Sequence, residues 1–305
     1  MKQFHDSLPA VLTGILAALG LSVLSSAPSS AETTLASQRD AIAKALGRTG
    51  KIMPGEVYRI GLPRTDLHVT LHGISLAPTF ALGGYAVYKA EPNGTLVLGD
   101  LPLLESEVGP VEQSLTNSGF RITALHNHLL DESPHIMYLH YMKVGDAAEE
   151  SAGLRRALAM TGIPLQAVPA APPVTDIPHR ETIEHILGRS GTANGVILSF
   201  SVPRAESITL QGMEIPPSMG VATLLNFQAV GTDRVATTGD FVLIDEEVPA
   251  VEETLKAHGI LTTALHHHML GDVPHLYYMH FFGVDTPEKI ASALHDALSH
   301  VHVKS

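Results

Sequence analysis

The chain has 305 residues, of which 45% are hydrophobic and 16% charged, and its formal net charge is −12 with histidine neutral. The apolar content excludes a disordered chain, and the negative charge argues against binding nucleic acid or an anionic membrane through a general basic surface. The absence of cysteine excludes disulfides, thiolate nucleophiles and cysteine-based metal sites, whereas the 18 histidines are an unusual excess.

The N-terminal segment has the pattern of an export signal. Residues 8–24 carry no charge and are mainly apolar, and small residues follow them up to Ala31, as a signal peptidase site requires. We therefore predict a signal peptide over residues 1–31, a periplasmic or secreted mature protein, and no membrane span after cleavage. An uncleaved anchor is the alternative, because the apolar run is at the short limit for a transmembrane helix.

Two long segments of the chain repeat each other. Residues 119–145 and 259–285 are identical at 12 of 27 positions, without a gap and at a constant offset of 140. Such a match indicates a tandem duplication. The proline-rich composition of residues 167–178 is typical of a stiff, extended linker. We predict repeat unit 1 over residues 32–166 and repeat unit 2 over residues 179–305.

Each unit shows the same order of predicted elements. A short helix that ends at a glycine comes first, and strands with alternating apolar residues follow it. A helix with an acidic first turn then precedes two strands around a tight turn, and an amphipathic helix closes the unit. In the first unit these elements are predicted at residues 38–46 (helix), 57–62, 68–74, 85–91 and 95–104 (strands), 105–119 (helix), 121–130 and 135–144 (strands) and 147–160 (helix).

This order predicts an α+β fold. It consists of two tandem homologous units, each a mostly antiparallel sheet with packed helices, and the units are expected to pack against each other with pseudo-twofold symmetry. The spacing HxHxxxE at His126, His128 and Glu132 is also the first half of the cupin signature. A bicupin-like pair of β-barrels is therefore the alternative fold.

The clearest chemical signal is a set of histidines that recurs in both units. In a strand, His126 and His128 share one face, and His140 on the next strand comes close to them if the turn is tight. Three neutral imidazoles and a carboxylate suit a divalent transition metal such as Zn, Mn, Fe, Ni or Cu. The predicted metal ligands are His126, His128, His140 and Glu132 in the first unit and His266, His268, His280 and Asp272 in the second.

Other functions stay open at this point. The histidines could instead tie the repeats together through hydrogen bonds, or form an interface that responds to mild acid. A metal-free binding or structural module of the cell envelope, using the cleft between the repeats for a small molecule or an envelope partner, is the alternative function. The sequence has no nucleophile, P-loop or dinucleotide motif, so it leaves open whether the protein is an enzyme.

Two further pairs of acids match between the units. Asp100 and Asp240 both follow a glycine and are interpreted as turn caps. Asp66 and Glu206 are interpreted as members of salt bridges at strand ends.

Three segments resemble a known bacterial family. They are TALHNHLLDESPHIMYLH, PRTDLHVTLHGISLAPTFALGGYAVYK and LVLGDLPLLESEVGPV. They resemble the LppY/LpqO-like family, domain of unknown function 1259, over nearly the whole mature chain and in both copies. The resemblance implies an exported bacterial protein and implies no reaction. Unlike the lipoprotein members, this chain has no cysteine that could carry an acyl anchor, so a freely soluble form is expected.

Overall fold

The computed structural model describes residues 35–166 and 177–304. The predicted signal peptide, residues 1–31, lies outside the described residues, as do residues 167–176 of the predicted linker. Within the described ranges, no helix has the length and apolar character needed to cross a membrane. The boundaries assigned above to the two repeat units remain predictions.

The two repeats contain nearly the same succession of helices and strands. The elements of the first repeat are α1 (Leu35–Leu46), β1 (Lys51–Met53), β2 (Val57–Pro63), β3 (Val69–Leu71), β4 (Ile74–Leu76), α2 (Pro78–Ala81), β5 (Gly83–Glu91), β6 (Gly94–Leu104), α3 (Glu105–Asn117), β7 (Arg121–Asn127), β8 (Ile136–Gly145) and α4 (Ala147–Leu158). The elements of the second are α5 (Arg180–Leu187), β9 (Thr192–Asn194), β10 (Ile197–Pro203), β11 (Ile208–Leu210), β12 (Met213–Ile215), a 3-10 turn (Pro217–Met219), β13 (Ala222–Val230), β14 (Arg234–Leu243), α6 (Val248–Ala257), β15 (Leu261–His266), β16 (Asp272–Val273), β17 (Tyr277–Asp285) and α7 (Pro287–Leu298).

Each repeat is built on one six-stranded antiparallel sheet. The strand order is β1-β2-β5-β6-β8-β7 in the first repeat and β9-β10-β13-β14-β17-β15 in the second. Both sheets are open, and neither closes into a barrel in the part of the chain that the structure describes. The predicted α+β class with two homologous units is therefore confirmed. The bicupin-like alternative is wrong, because a barrel requires the two edge strands of a sheet to pair.

A hairpin replaces the single strand predicted at residues 68–74. His72 and Gly73 have φ angles of 50° and 80°, and two successive residues in the left-handed region form the tight turn between β3 and β4. Gln211 and Gly212, with φ angles of 53° and 83°, form the same turn between β11 and β12. Because apolar residues alternate on both sides of the turn, the sequence pattern resembled one longer strand.

Both faces of each sheet are buried, for different reasons. In β8, Leu139 and Tyr141 pack with the helices of their own repeat. The alternate residues Tyr138 and Met142 belong instead to apolar clusters that contain side chains of both repeats. His140 lies between Tyr138 and Met142 on this second face, which we call the inter-repeat face. The histidine positions predicted from the sequence therefore lie between the repeats.

The edge strands β7 and β15 exchange hydrogen bonds that follow the pseudo-twofold symmetry. The Thr123 hydroxyl donates to the carbonyl oxygen of His268, and the Thr263 hydroxyl donates to the carbonyl oxygen of His128. These pairs are related by the sequence offset of 140. Each bond therefore fixes the backbone of a histidine from the other repeat.

Replacing both threonines by valine is expected to lower the free energy of unfolding by about 1–3 kcal/mol. Valine keeps the shape but removes the donor, so one buried and one partly buried carbonyl group lose their partners. Urea denaturation measures the effect. Thr116→Val is the control, because Thr116 is exposed and its hydroxyl bonds only within its own helix. A double variant no less stable than this control would contradict the role assigned to the two bonds.

Candidate metal centre

Three histidines of the first repeat lie at one end of the β7–β8 pair. His126 lies one residue before the end of β7, His128 follows the strand, and His140 lies within β8. The register pairs Ala124 with His140 and His126 with Tyr138. The ring centroids of His126 and His140 are 5.0 Å apart as a result, and those of His126 and His128 are 5.2 Å apart.

The second repeat places its histidines in the same way. His266 ends β15, His268 follows it, and His280 lies within β17. The ring centroid of His266 is 5.1 Å from that of His268 and 4.8 Å from that of His280. The local geometry of the two sets is therefore nearly equal.

The two sets form one cluster rather than two separate sites. The ring centroids of His126 and His266 are 3.5 Å apart and stacked. His128 lies 3.9 Å from His280, and the symmetry-equivalent pair, His268 and His140, is also separated by 3.9 Å. The sequence pattern predicts one ligand set within each repeat. The structure instead interleaves the six rings across the inter-repeat face, and we call them the histidine cluster.

Three groups of three histidines in this cluster could hold a metal ion. In each group the possible ligand atoms lie within 4.8 Å of one another. The groups are His126, His140 and His266; His126, His128 and His280; and His266, His268 and His280. Every group combines histidines from the two repeats except the last. Any two groups share one histidine, so the cluster as arranged holds one complete three-histidine set at a time.

Burial favours the neutral form, which binds metals, in five of the six imidazoles of the cluster. Burial, followed by the neighbouring imidazoles, lowers the pKa of His128, His140 and His268 well below the usual value. The same causes lower the pKa of His126, and they lower that of His266 to about 3. A neutral imidazole offers one lone pair to a metal and one N–H to another acceptor.

Several polar atoms of the cluster are buried without a hydrogen bond. Among the described residues, the ring nitrogens of the cluster that lack a partner are His126 Nδ1, His140 Nε2, His266 Nε2 and His268 Nε2. The hydroxyl of Tyr278 beside them also has none. Buried polar atoms are almost always paired, and an unpaired group often marks an ion or a water. The cluster therefore has the chemical composition and the unmet bonding capacity of a metal site.

Of the two carboxylates predicted as additional ligands, Glu132 lies in the loop before β8 and Asp272 begins the short strand β16. Glu132 accepts a hydrogen bond from the backbone N–H of Ile136, at 3.1 Å. Asp272 accepts one from Leu276, at 2.9 Å, and its other oxygen lies 3.0 Å from His275 Nδ1. Neither acid is in the three groups whose ligand atoms converge. Their contacts in the structure are those of residues that hold the loops leading into β8 and β17.

The two repeats of the chain also match a family model. The model is described as Domain of Unknown Function (DUF1259), and it matches residues 40–160 and residues 181–300. The chain belongs to the DUF1259 family. No curated protein matches it. Among solved structures, the chain is similar to a protein described as a trimeric bacterial microcompartment shell protein, PduB, with 12% identity, a TM-score of 0.20, and coverage of 80% of this chain and 86% of that chain.

Two aspartates of the DUF1259 repeats reach the cluster, although the sequence analysis interpreted them as turn caps. Asp100 lies within β6, directly opposite His140 of β8 in the register. Asp240 lies within β14, directly opposite His280 of β17. Asp100 comes within 3.8 Å of His128 Nε2 and 3.9 Å of His140 Nε2. The signal that could have found them was the match of LGD with TGD inside long apolar strands.

The two aspartates have different partners. Asp240 is in direct contact with Nδ1 of His280, which also lies 3.0 Å from the carbonyl oxygen of Gly239. This contact leaves Nε2 of His280 free to face the cluster, as in the carboxylate–histidine–metal arrangements of known sites. The contacts of Asp100 are longer, at 3.8 Å to His128 Nε2 and 3.9 Å to His140 Nε2. Burial together with the charge of Asp240 raises its pKa well above the usual value.

Two tyrosines fix the outer rings of the DUF1259 cluster. Tyr138 stacks on His128 and Tyr278 stacks on His268, each with ring centroids 3.3 Å apart. The hydroxyl of Tyr138 donates to the carbonyl oxygen of Ala81. Both tyrosines position the rings by stacking, which restricts the direction in which each imidazole can face.

Proposed function

We propose that this DUF1259 protein is an exported protein that binds a divalent transition metal at the histidine cluster between its repeats. Imidazole ligands suit Zn, Cu, Fe and Ni, and Mn becomes possible where a carboxylate joins them. The apolar N-terminal segment at residues 8–24 supports a periplasmic or secreted location. A metal bound between the repeats would join them, because its ligands come from both.

The observation that carries this proposal is the contact between two ring nitrogens from different repeats. Nε2 of His280 and Nε2 of His126 lie 3.3 Å apart. Two imidazole nitrogens that bind one tetrahedral zinc ion at 2.0–2.1 Å are separated by roughly the same distance, about 3.3 Å. The unpaired nitrogens around this pair and the contact of Asp240 with His280 add the remaining parts of such a site.

Metal content tests the proposal directly. The full chain is expressed in a bacterial host without a histidine tag, and the purified protein is analysed by inductively coupled plasma mass spectrometry. We expect near-stoichiometric transition metal in the wild type and a loss of at least tenfold in His126→Ala/His280→Ala. The control His295→Ala/His300→Ala removes two exposed histidines and should keep its metal.

The contrary result is also clear. Absence of metal from the wild type, both as purified and after dialysis against Zn²⁺ and chelator-free buffer, would overturn the proposal. Equal metal content in the cluster variant and the control variant would overturn it as well, because the metal would then be bound elsewhere. Circular dichroism of all variants establishes that they are folded before the metal is compared.

A second candidate function is small-molecule binding without a metal. A pocket of about 540 Å³ has lining residues from both repeats, including Leu67, Leu76, Val196 and Gln228. This volume is within the range of small-ligand sites, and most of the lining side chains are apolar, as in such sites. A ligand in this pocket would raise the melting temperature in a way that chelators do not change, whereas stabilisation by metal would be reversed by them.

A further inference from the structure

Two positions of the first repeat near the histidine cluster differ in chemical character from their equivalents in the second. Arg59 and Tyr85 lie in β2 and β5, and the register of the strands makes Ser199 and Leu224 their equivalents in the second repeat. The guanidinium of Arg59 lies 4.0 Å from the centroid of the Tyr85 ring. Tyr85 is the register partner of Asp100. The first repeat therefore carries a cation beside its aspartate, and the second does not.

The pseudo-symmetry defines two equivalent triads that share no histidine. One consists of His126, His128 and His280, and the offset of 140 converts it to His266, His268 and His140. Two ions could bind if both triads closed in the same way. Only the first of the two is among the groups of described residues whose ligand atoms lie within 4.8 Å of one another.

The ring positions show the same asymmetry. The centroids of His126 and His280 are 5.3 Å apart, whereas those of the equivalent pair, His266 and His140, are 5.9 Å apart. The first pair has its Nε2 atoms in contact, and Asp240 holds the other nitrogen of His280. The group of His266, His268 and His280 does not include His126, so the contact between the two Nε2 atoms lies outside it.

The charged residues around the cluster favour the same triad, His126, His128 and His280. Arg59 interacts electrostatically with Asp100, so a guanidinium already lies beside this carboxyl group. Asp100 is the register partner of His140, as Asp240 is of His280, so a divalent cation bound at His140 would be repelled by Arg59. This repulsion is strong where little water screens it. Asp240 has Ser199, a neutral residue, at the position equivalent to Arg59. Its carboxylate is available to support a cation through His280.

We propose that the histidine cluster binds one ion, on His126, His128 and His280. Arg59 keeps a second ion out of the equivalent triad, which consists of His266, His268 and His140. This inference rests on the proposed function and adds the ligand set, the stoichiometry and the residue that determines it. Arg59 acts here as a specificity residue for the number of ions. Tyr85 holds its guanidinium in place by the cation–π contact.

The matched positions of the two repeats supply the test. Zinc is removed with chelator, and ZnCl₂ is then titrated by isothermal calorimetry into the wild type, His128→Ala and His268→Ala. We expect about one ion per chain in the wild type, at least a tenfold weaker site in His128→Ala, and a nearly unchanged site in His268→Ala. Equal losses in the two variants, or two ions of similar affinity in the wild type, would overturn the inference while leaving the proposed function intact.

A second set of variants tests Arg59 itself. Arg59→Ser/Tyr85→Leu gives the first repeat the residues of the second, and Arg59→Gln removes the charge while keeping most of the volume. We expect the stoichiometry to rise toward two ions per chain in both. A stoichiometry that stays at one in Arg59→Gln, with the protein folded by circular dichroism, would show that Arg59 does not exclude the second ion. Failure of all proteins to bind zinc would instead contradict the proposed function.

Discussion

Replacement of Glu247 by leucine is expected to lower the free energy of unfolding by about 3–5 kcal/mol. Glu247 accepts hydrogen bonds from Arg204 at 2.6 and 3.1 Å, and Arg204 is only 2% exposed. Removal of Glu247 leaves the buried charge of Arg204 with only the partly exposed Glu206 and the carbonyl oxygen of Val242 as partners, and breaking a buried ion pair in this way is strongly destabilising. Glu247 also accepts bonds from the backbone N–H groups of Ile244 and His302, so the variant loses these as well.

Urea denaturation at neutral pH measures this loss. The control is Glu206→Gln, which changes the other acid partner of Arg204. The side chain of Glu206 is 28% exposed, so water replaces part of the lost contact and a smaller effect is expected. The double variant Arg204→Met/Glu247→Leu should recover much of the stability, because it removes the buried charge together with its partner. A loss below about 1 kcal/mol in Glu247→Leu would contradict the assignment.

The ion pairs of Arg64 and Arg204 show which buried contacts could be predicted from the sequence and which could not. Asp66 and Glu206 were interpreted as salt-bridge residues, and they do pair with the buried Arg64 and Arg204. Glu107, which also pairs with Arg64, was interpreted only as part of an acidic first helical turn. It bonds to Arg64 from a position distant in the sequence. Such a contact depends on how the helix lies on the sheet, and no local periodicity reports this.

The fold was predictable because the chain contains two copies of one unit, whose sequences can be compared with each other. The duplication supports every helix and strand assignment twice, and the alternation of apolar residues places strands on both sides of the acidic helix. The hairpin at His72 and Gly73 was missed because its turn interrupts a continuous alternation. Asp100 was missed for a related reason. Gly99 and Asp100 resemble a turn, but the hairpin turn comes earlier and both residues lie within β6.

The candidate site was predictable only within each repeat. Strand spacing places His126 and His128 together and brings His140 to them, because these relations depend on two neighbouring strands. The stacking of His126 on His266 depends instead on which faces of the two sheets meet. The duplication predicts that the repeats pack with pseudo-twofold symmetry, but it does not specify the face. The shared cluster was therefore visible only in three dimensions.

Replacement of Glu150 by isoleucine is expected to stabilise the protein above neutral pH by several kcal/mol. Glu150 lies in the first turn of α4, is fully buried, and has no hydrogen bond to either carboxyl oxygen among the described residues. Burial raises its pKa to about 8, with Lys143 opposing the shift and Asp146 adding to it. The equivalent residue of the second repeat is Ile290, which is buried in the helix-side core, so isoleucine suits this environment.

The pH dependence distinguishes this effect from a simple gain of apolar contact. The folded protein keeps Glu150 protonated up to about pH 8, whereas the unfolded chain loses this proton near pH 4.3. Between these values the folded state binds more protons, so Glu150 makes the wild type progressively less stable as the pH rises. The advantage of Glu150→Ile over the wild type should therefore grow between about pH 4.5 and 8, by on the order of 3–5 kcal/mol, and then level off.

Urea denaturation at pH 5, 7 and 9 follows this advantage. Glu149→Gln is the control, because Glu149 is an exposed acid in the same helical turn and should give a difference that is small at every pH. The reciprocal variant Ile290→Glu should introduce the same pH dependence into the second repeat, since the carboxyl would be buried in an equivalent core. An advantage of Glu150→Ile that is constant across the three pH values would mean that Glu150 is ionised in the folded protein. The description of Glu150 as buried without a hydrogen-bond partner would then be wrong, and water would have to reach the first turn of α4.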